Sequence, residues 1–178
     1  MNTNTGAQDA ALSALPEEPK GTLFNGAVVG LHITARAFLP MRSFDELELV
    51  AGKGITGDRY MLGREEGFYS AKPEEGRQVT LFEIETLEAL QRDHGITLRP
   101  EDHRRNVTVR NVPLNHLVGK VFHLGETVLE ATRLSVPCRH IEEITGQAIF
   151  DPLINRSGLN CKILRGGTVR LGDAVWMT

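Results

Sequence analysis

With 178 residues, 40% of them hydrophobic and 24% charged, the chain has the size and balance of one globular domain with its own core. A formal net charge of −3 argues against a general nucleic-acid binder, and two cysteines are too few for a disulfide framework. No apolar run approaches the roughly 18 residues that a membrane span requires. The charge is unevenly divided. Residues 1–98 carry 9 basic against 15 acidic side chains, and residues 99–178 carry 11 against 8. The basic half suits an anionic ligand, although a solvated surface would read the same way.

Residues 1–21 lack the basic-then-apolar order of a secretory signal and read as a flexible tail, so a cytoplasmic protein is expected, with the domain over 22–178. The run Ala27 to Ile33 reads as a first strand, and Glu46 to Val50 alternates Leu47 and Leu49 with acidic partners at the period of a half-buried strand. Gly52 to Tyr60 holds three glycines in six positions but lacks the Lys-Ser/Thr ending of a phosphate-binding loop. Asp58 and Arg59 on it are either salt-bridge partners or site residues. Met61 to Gly76 is long and polar, the kind of connection that often serves as a binding loop or a tolerated insertion.

A helix is expected after Arg77-Gln78-Val79. Thr80 with Glu83 makes a capping box, Val79 with Ile84 a hydrophobic staple, Ile84, Leu87 and Leu90 an apolar stripe, and Gly95 a stop. A charged turn over 99–106 leads into a strand at Val107 to Val109, and a single helical turn follows at Leu114 to Val118. Two strands, 120–124 and 127–132, meet at Gly125-Glu126 as a hairpin. After the Cys138 turn come short helical pieces near 140–145 and 147–154, then closing strands from Cys161 to Trp176. Short strands with glycine turns, no βαβ alternation and no repeat point to a closed or nearly closed β-barrel. Cys161, alternating with Ile163, reads as core.

The stretch Ser135 to His140 concentrates the chemistry. Cys138 follows a proline at the start of a short helix, and Arg139 and His140 follow it. The helix dipole and adjacent positive charge both favour thiolate, the form needed by a nucleophile, a sulfur carrier or a soft-metal ligand. A free cysteine is also often no more than a small buried hydrophobe.

In order and spacing, several segments resemble the MOSC domain, named for the C-terminal domain of molybdenum cofactor sulfurase. They are Gly57-Asp58-Arg59, Arg77 to Leu81, Arg104-Arg105-Asn106, Val118-Gly119, Phe122 to Glu126, Pro137-Cys138, Arg156 to Asn160 and Gly166 to Asp173. The resemblance implies a mainly β barrel of the pyruvate-kinase-barrel type with a few short helices. It also implies a basic cleft for a molybdopterin-type molybdenum cofactor, and a cysteine, here Cys138, that ligates molybdenum or carries sulfur. Members are similar to reductases of N-hydroxylated small molecules such as hydroxylated purines and amidoximes. Pyridoxal phosphate belongs to the neighbouring desulfurase domain of the sulfurases and is not expected here. One departure stands out: many members have Arg-Glu-Asn where this chain has Arg105 in the middle.

On this reading Arg59, Arg77, Arg104, Arg139 and Arg156 are candidates for the cofactor's phosphate, and Asp58 and Asn106 for its pterin edge. His140 is the candidate proton shuttle beside Cys138. The expected partners are a small-molecule substrate and a separate flavin or iron–sulfur electron donor, with no nucleic acid and no membrane; a homodimer is left open. Two other functions fit the same residues: a sulfur carrier with a Cys138 persulfide, and a catalytically silent module that holds the cofactor or another anion.

Overall fold

The structure is a computed structural model that describes residues 23–63, 75–137 and 139–177. The expected tail, most of the 61–76 connection and Cys138 itself lie outside the described residues.

Seven strands close a barrel. They are β1 (Phe24–Ile33), β5 (Val79–Glu83), β6 (Val107–Arg110), β7 (Val121–Leu124), β8 (Thr127–Leu134), β9 (Leu159–Arg165) and β11 (Ala174–Met177). Their order is β11-β7-β8-β9-β5-β6-β1, and β1 pairs back onto β11 from Phe24 opposite Met177 to Ala27 opposite Ala174. The two-residue β2 (Arg42–Ser43) extends the end of β1, while β3 (Glu46–Val50), β4 (Gly54–Ile55) and β10 (Gly167–Arg170) form a separate small sheet. The closed barrel expected from the sequence is therefore present. Closure leaves its strands without the open edges that invite aggregation.

Strand alternation fills the barrel with hydrocarbon. Val79, Leu81, Val107, Val109, Phe122, Leu129, Leu159 and Cys161 are all buried in one cluster. Cys161 is core, as expected, and burial pushes its thiol far above the usual range. The hairpin falls where it was read, with Leu124 opposite Thr127 across Gly125-Glu126.

Two expectations need correction. Val79–Glu83 is a strand, and the helix α1 begins only at Ile84 (Ile84–His94). Glu83 stands at its N-cap position without a side-chain cap, and the Thr80 hydroxyl instead donates to Asn106 Oδ1 across the sheet. A capping box and a strand rich in β-branched and aromatic residues share this sequence, and pairing with two distant strands decides between them. The second correction follows from the first. β5, α1 and β6 form one βαβ crossover with parallel pairing, Leu81 opposite Val107 and Glu83 opposite Val109. The helix stop was legible: Gly95 sits at φ 65° and donates its N–H to Gln91 O.

A second, smaller core lies outside the barrel. Phe82, on the opposite face of β5 from Leu81, packs with Leu87 and Leu90 of α1, Leu98, Ile141, Ile149 and Leu153. Ile141 belongs to α2 (Arg139–Thr145), and its burial, worth about 1.5–3 kcal/mol, fixes the helix that follows Cys138. The chain leading into β9 passes close by: a Cβ on Gly158 would lie 2.2 Å from Leu81 O, and the residue sits at φ 97°. Only glycine fits there.

Candidate functional site

The outward positions of β1, β6, β5 and β9 carry a buried polar seam. Asn106, just before β6, is its hub and is 8% exposed. Its Oδ1 accepts from the Thr80 N–H (3.1 Å) and hydroxyl (2.8 Å). Its Nδ2 donates to His32 O and to Asp58 Oδ1, both at 3.3 Å. One amide therefore joins β1, β5, β6 and the Gly57-Asp58-Arg59 turn. Asp58 accepts in addition from the N–H of Thr34 (3.4 Å) and of Tyr60 (3.1 Å). Burial pushes its carboxyl above the usual range, opposed by the Tyr60 amide and the Arg59 charge. Arg59 is half-buried and ties the turn to the end of β1 by donating its N–H to Thr34 O at 2.8 Å.

Arg104 closes the 3-10 turn Pro100–His103 in the left-handed region, at φ 66°. Its buried side chain donates through Nη1 to Leu39 O. Phe38, beside Leu39, meets the His140 ring edge-on with centroids 4.6 Å apart. The segment over residues 34–39 thus links the Asp58 turn, the Arg104-Arg105-Asn106 turn and α2. Nothing in the sequence marked it, because residues 35–40 read only as a break.

Arg105 reaches in the other direction. Its Nε donates to Ser157 O (2.8 Å), and its Nη2 donates to Ser157 Oγ (2.9 Å) and Val136 O (3.2 Å). The two loops it joins are already stitched by Ser135 N–H to Gly158 O (2.7 Å) and by Ser135 Oγ to Asn160 Oδ1 (3.2 Å). Its own N–H donates to Nδ1 of His103 at 3.0 Å.

That last bond fixes a tautomer chain. With Nδ1 accepting, neutral His103 carries its proton on Nε2, 2.7 Å from Thr108 Oγ1. The Thr108 hydroxyl is then free to donate to His32 Nε2 (3.4 Å), which leaves His32 Nδ1–H to face Ser43 Oγ at 3.1 Å. His103 is fully buried and stacks on Phe82 with centroids 4.3 Å apart. Burial drives its pKa well below the ordinary value, and His32 and Arg105 push the same way. Burial lowers that of His32 too, partly offset by Glu101. A cavity of about 470 Å³ lies beside this chain, lined by Gly30, His32, Ser43, Phe44 and Glu101 among others. Since the nitrogen of His32 that faces Ser43 already carries its proton, the pair is not a nucleophile with its base.

The remaining expected site residues fall around this framework. Arg77 ends the 3-10 turn Glu75–Arg77 before β5, where Gly76 O accepts from Thr132 Oγ1 at 2.7 Å. Arg139 is exposed at the start of α2, with its guanidinium 5.3 Å from the Phe150 ring centroid. His140 turns Nδ1 toward Glu143 Oε2 at 3.3 Å, while its Nε2 is buried and has no hydrogen-bond partner among the described residues. Arg156 is exposed, and its charge acts on Glu83 and Asp93 at the two ends of α1. The structure therefore joins Asp58, Arg59, Arg104, Asn106 and His140 through one segment, with Arg139 beside His140. Arg156 faces the α1 side.

A small closed barrel with a polar seam on its outer face, linked through residues 34–39 to the short helix α2, defines the architectural class. The MOSC domain family model matches residues 69–176, well over half of the chain, and the chain belongs to that family. Among solved structures it is similar to the YuaD protein from Bacillus subtilis, at 21% identity and a TM-score of 0.71, covering 85% of this chain and 94% of that one. It is also similar to YiiM from Geobacillus stearothermophilus (10% identity, TM-score 0.65, 86% and 75% covered) and YiiM from Escherichia coli (16%, 0.60, 85% and 70%). At these identities the likeness is one of fold. No curated protein matches the sequence significantly. Among the described residues no helix is long and apolar enough to cross a membrane.

Proposed function

We propose that this MOSC protein binds a molybdopterin-type cofactor with Cys138 as the molybdenum ligand and reduces N-hydroxylated small molecules. The observation that supports the reading is the buried Nε2 of His140, two residues beyond Cys138, which has no hydrogen-bond partner among the described residues. A buried nitrogen without a partner costs stability unless a ligand completes it. Glu143 can only accept, so it holds the His140 proton on Nδ1 and leaves Nε2 with a free lone pair. Exposed Arg139 and half-buried Arg59 are cations suited to the cofactor's phosphate. In this reading Asp58 and Asn106 hold the 57–59 turn in place, since protein groups already engage their polar atoms.

A thiolate is the protein ligand that a soft, sulfur-bound molybdenum favours. When bound, the cofactor supplies a centre that passes two electrons to the N–OH group, drawn from a separate flavin or iron–sulfur protein. The substrate loses its hydroxyl as water and takes up two protons, and His140 Nε2 is the atom that relays one of them.

The test is metal analysis of protein made in a cofactor-competent host, combined with reduction of a hydroxylated purine. Molybdenum at about one per chain, lost in Cys138→Ala, is the expected result. Wild-type protein with neither molybdenum nor turnover would sink the proposal. Sulfur acquired from a cysteine desulfurase by wild type but not by Cys138→Ala, in protein that never takes up molybdenum, would assign a sulfur carrier instead.

A further inference from the structure

The cavity beside His32 stands apart from the cofactor reading, since none of the residues assigned to the cofactor lines it. An irregularity in β1 creates it. The pairing with β6 shifts register between Val28 and Gly30, and a Cβ on Gly30 would lie 2.7 Å from His32 Nε2. A bulge and a missing side chain therefore open about 470 Å³ against the outer wall of the barrel, within the size range of small-molecule sites. Main-chain bonds hold the rim: Phe44 N–H donates to Leu31 O at 3.0 Å, and Leu171 N–H donates to Asp45 O at 3.1 Å.

Three chemical features meet there. Val29, Phe44, Pro100 and Leu171 give the cavity apolar walls, and Val29 and Leu171 are left 41% and 45% exposed. Asp45 and Glu101 bring two carboxylates. The fork of Arg99 is committed to Asp102 through two bonds of 2.9 Å, which leaves Glu101 a looser contact with it at 3.4 Å. The third feature comes from the tautomer chain. Each member from His103 to His32 donates toward the cavity, and Ser43 Oγ at its end accepts from His32 Nδ1–H. The Ser43 proton is thereby turned outward, and no acceptor among the described residues takes it.

We propose that this cavity is a binding site for small organic ammonium compounds. Glu101 and Asp45 hold the cation, Ser43 donates to a hydroxyl or carbonyl oxygen, and the carbon skeleton covers Phe44 and Leu171. An anion would instead meet two carboxylates and a histidine whose pKa burial lowers. A metal ion would find no cluster of three or more ligating side chains among the described residues. An ammonium group needs only acceptors, and the apolar walls suit the carbon attached to it.

The experiment is isothermal titration calorimetry of the full chain with three probes of similar size. Phenylethanolamine carries a ring, a hydroxyl and an ammonium group; phenethylamine lacks the hydroxyl, and phenylethylene glycol lacks the charge. Phenylethanolamine is expected to saturate one site per chain, and Glu101→Gln should weaken it by about tenfold, as loss of a charge-assisted hydrogen bond requires. Phenethylamine should bind wild type about fivefold more weakly, and Ser43→Ala should abolish that difference. The glycol should not saturate. If Glu101→Gln folds poorly, Asp45→Asn on the exposed rim gives the same readout with no buried group disturbed. No saturable binding of either amine would overturn the proposal. So would wild-type affinity in both carboxylate variants, or glycol binding as tight as that of the amines. Presence or absence of molybdenum has no bearing on any of these results.

Discussion

On β5, Val79 and Leu81 face an apolar barrel interior, while Thr80 and Phe82 face outward into a polar seam and a second core. The two faces are held by different forces. Inside, burial is non-directional and each side chain contributes roughly in proportion to its area. Outside, Asn106, Asp58, His103 and Arg105 are held by directed bonds, each modest in net value but expensive to leave half-made. The inside thus governs whether the chain folds, and the outside governs where residues 57–59, 104–106 and 135–137 stand.

The comparison can be broken most forcefully from within the barrel. Phe122→Ala removes a ring that is wholly buried, and a loss of about 3–5 kcal/mol in denaturant midpoint experiments is expected. Its affinity for inorganic phosphate should nonetheless match wild type wherever the protein is folded. On the seam the balance reverses. Asn106→Leu removes the acceptor of the Thr80 N–H and hydroxyl and one of the two donors to Asp58 Oδ1, for about 1–3 kcal/mol, and loosens the 57–59 turn. Anion affinity should fall in that variant more than stability does, as titration with inorganic phosphate would show.

Asp58→Asn sharpens the point at smaller scale. The raised pKa of Asp58 alone suggests that a neutral side chain would be welcome. Yet Thr34 N–H, Tyr60 N–H and Asn106 Nδ2 all donate to it, and an asparagine would turn one donor of its own against them. A loss of about 1–2 kcal/mol is therefore expected despite the relief of charge. A gain in Tm would show that desolvation outweighs the three donors.

The seam also carries a pH signature that the barrel lacks. His103 and His32 have pKa values lowered below 6.5 in the folded protein, chiefly by burial. Above the unfolded value near 6.5 both states are neutral, and stability is full. As the pH falls below it, the unfolded chain takes up protons that the folded chain refuses, so stability is lost progressively down to the folded pKa values. Denaturant midpoints should decline from pH 7 toward pH 5. In His103→Asn that slope should flatten while stability at pH 7 drops; an undiminished slope would remove His103 from the account. At the small end, breaking the exposed Arg92–Asp93 pair with Arg92→Ala should leave Tm unchanged.

The strands at 27–33, 107–109, 120–124 and 127–132 were readable as short apolar runs between turn residues, and that at 46–50 by its alternation, because both are local patterns. So was the glycine stop at Gly95, since left-handed backbone is a local demand. The helix start was misread because Thr80 and Glu83 satisfy a local rule that pairing with β6 and β9 overrides. As residue types, Asp58, Arg104, Asn106 and His140 stand out in the sequence, and contacts running through residues 34–39 link them. Their partners were not legible. That Arg104 would reach Leu39, that Arg105 would grip Val136 and Ser157, and that His103 would orient His32 through Thr108 depend on contacts between residues far apart in the chain.

The sequence alone determined which side chains are apolar, where the backbone must turn and which groups can ionise, because these are properties of single residues and near neighbours. Only the tertiary structure decided that β5 and β6 run parallel, that Arg105 donates to Ser157 and Val136, and that His140 Nε2 is buried without a partner among the described residues. Such outcomes are set by barrel closure and by the pairing of buried donors with acceptors, and no stretch of chain taken alone specifies either.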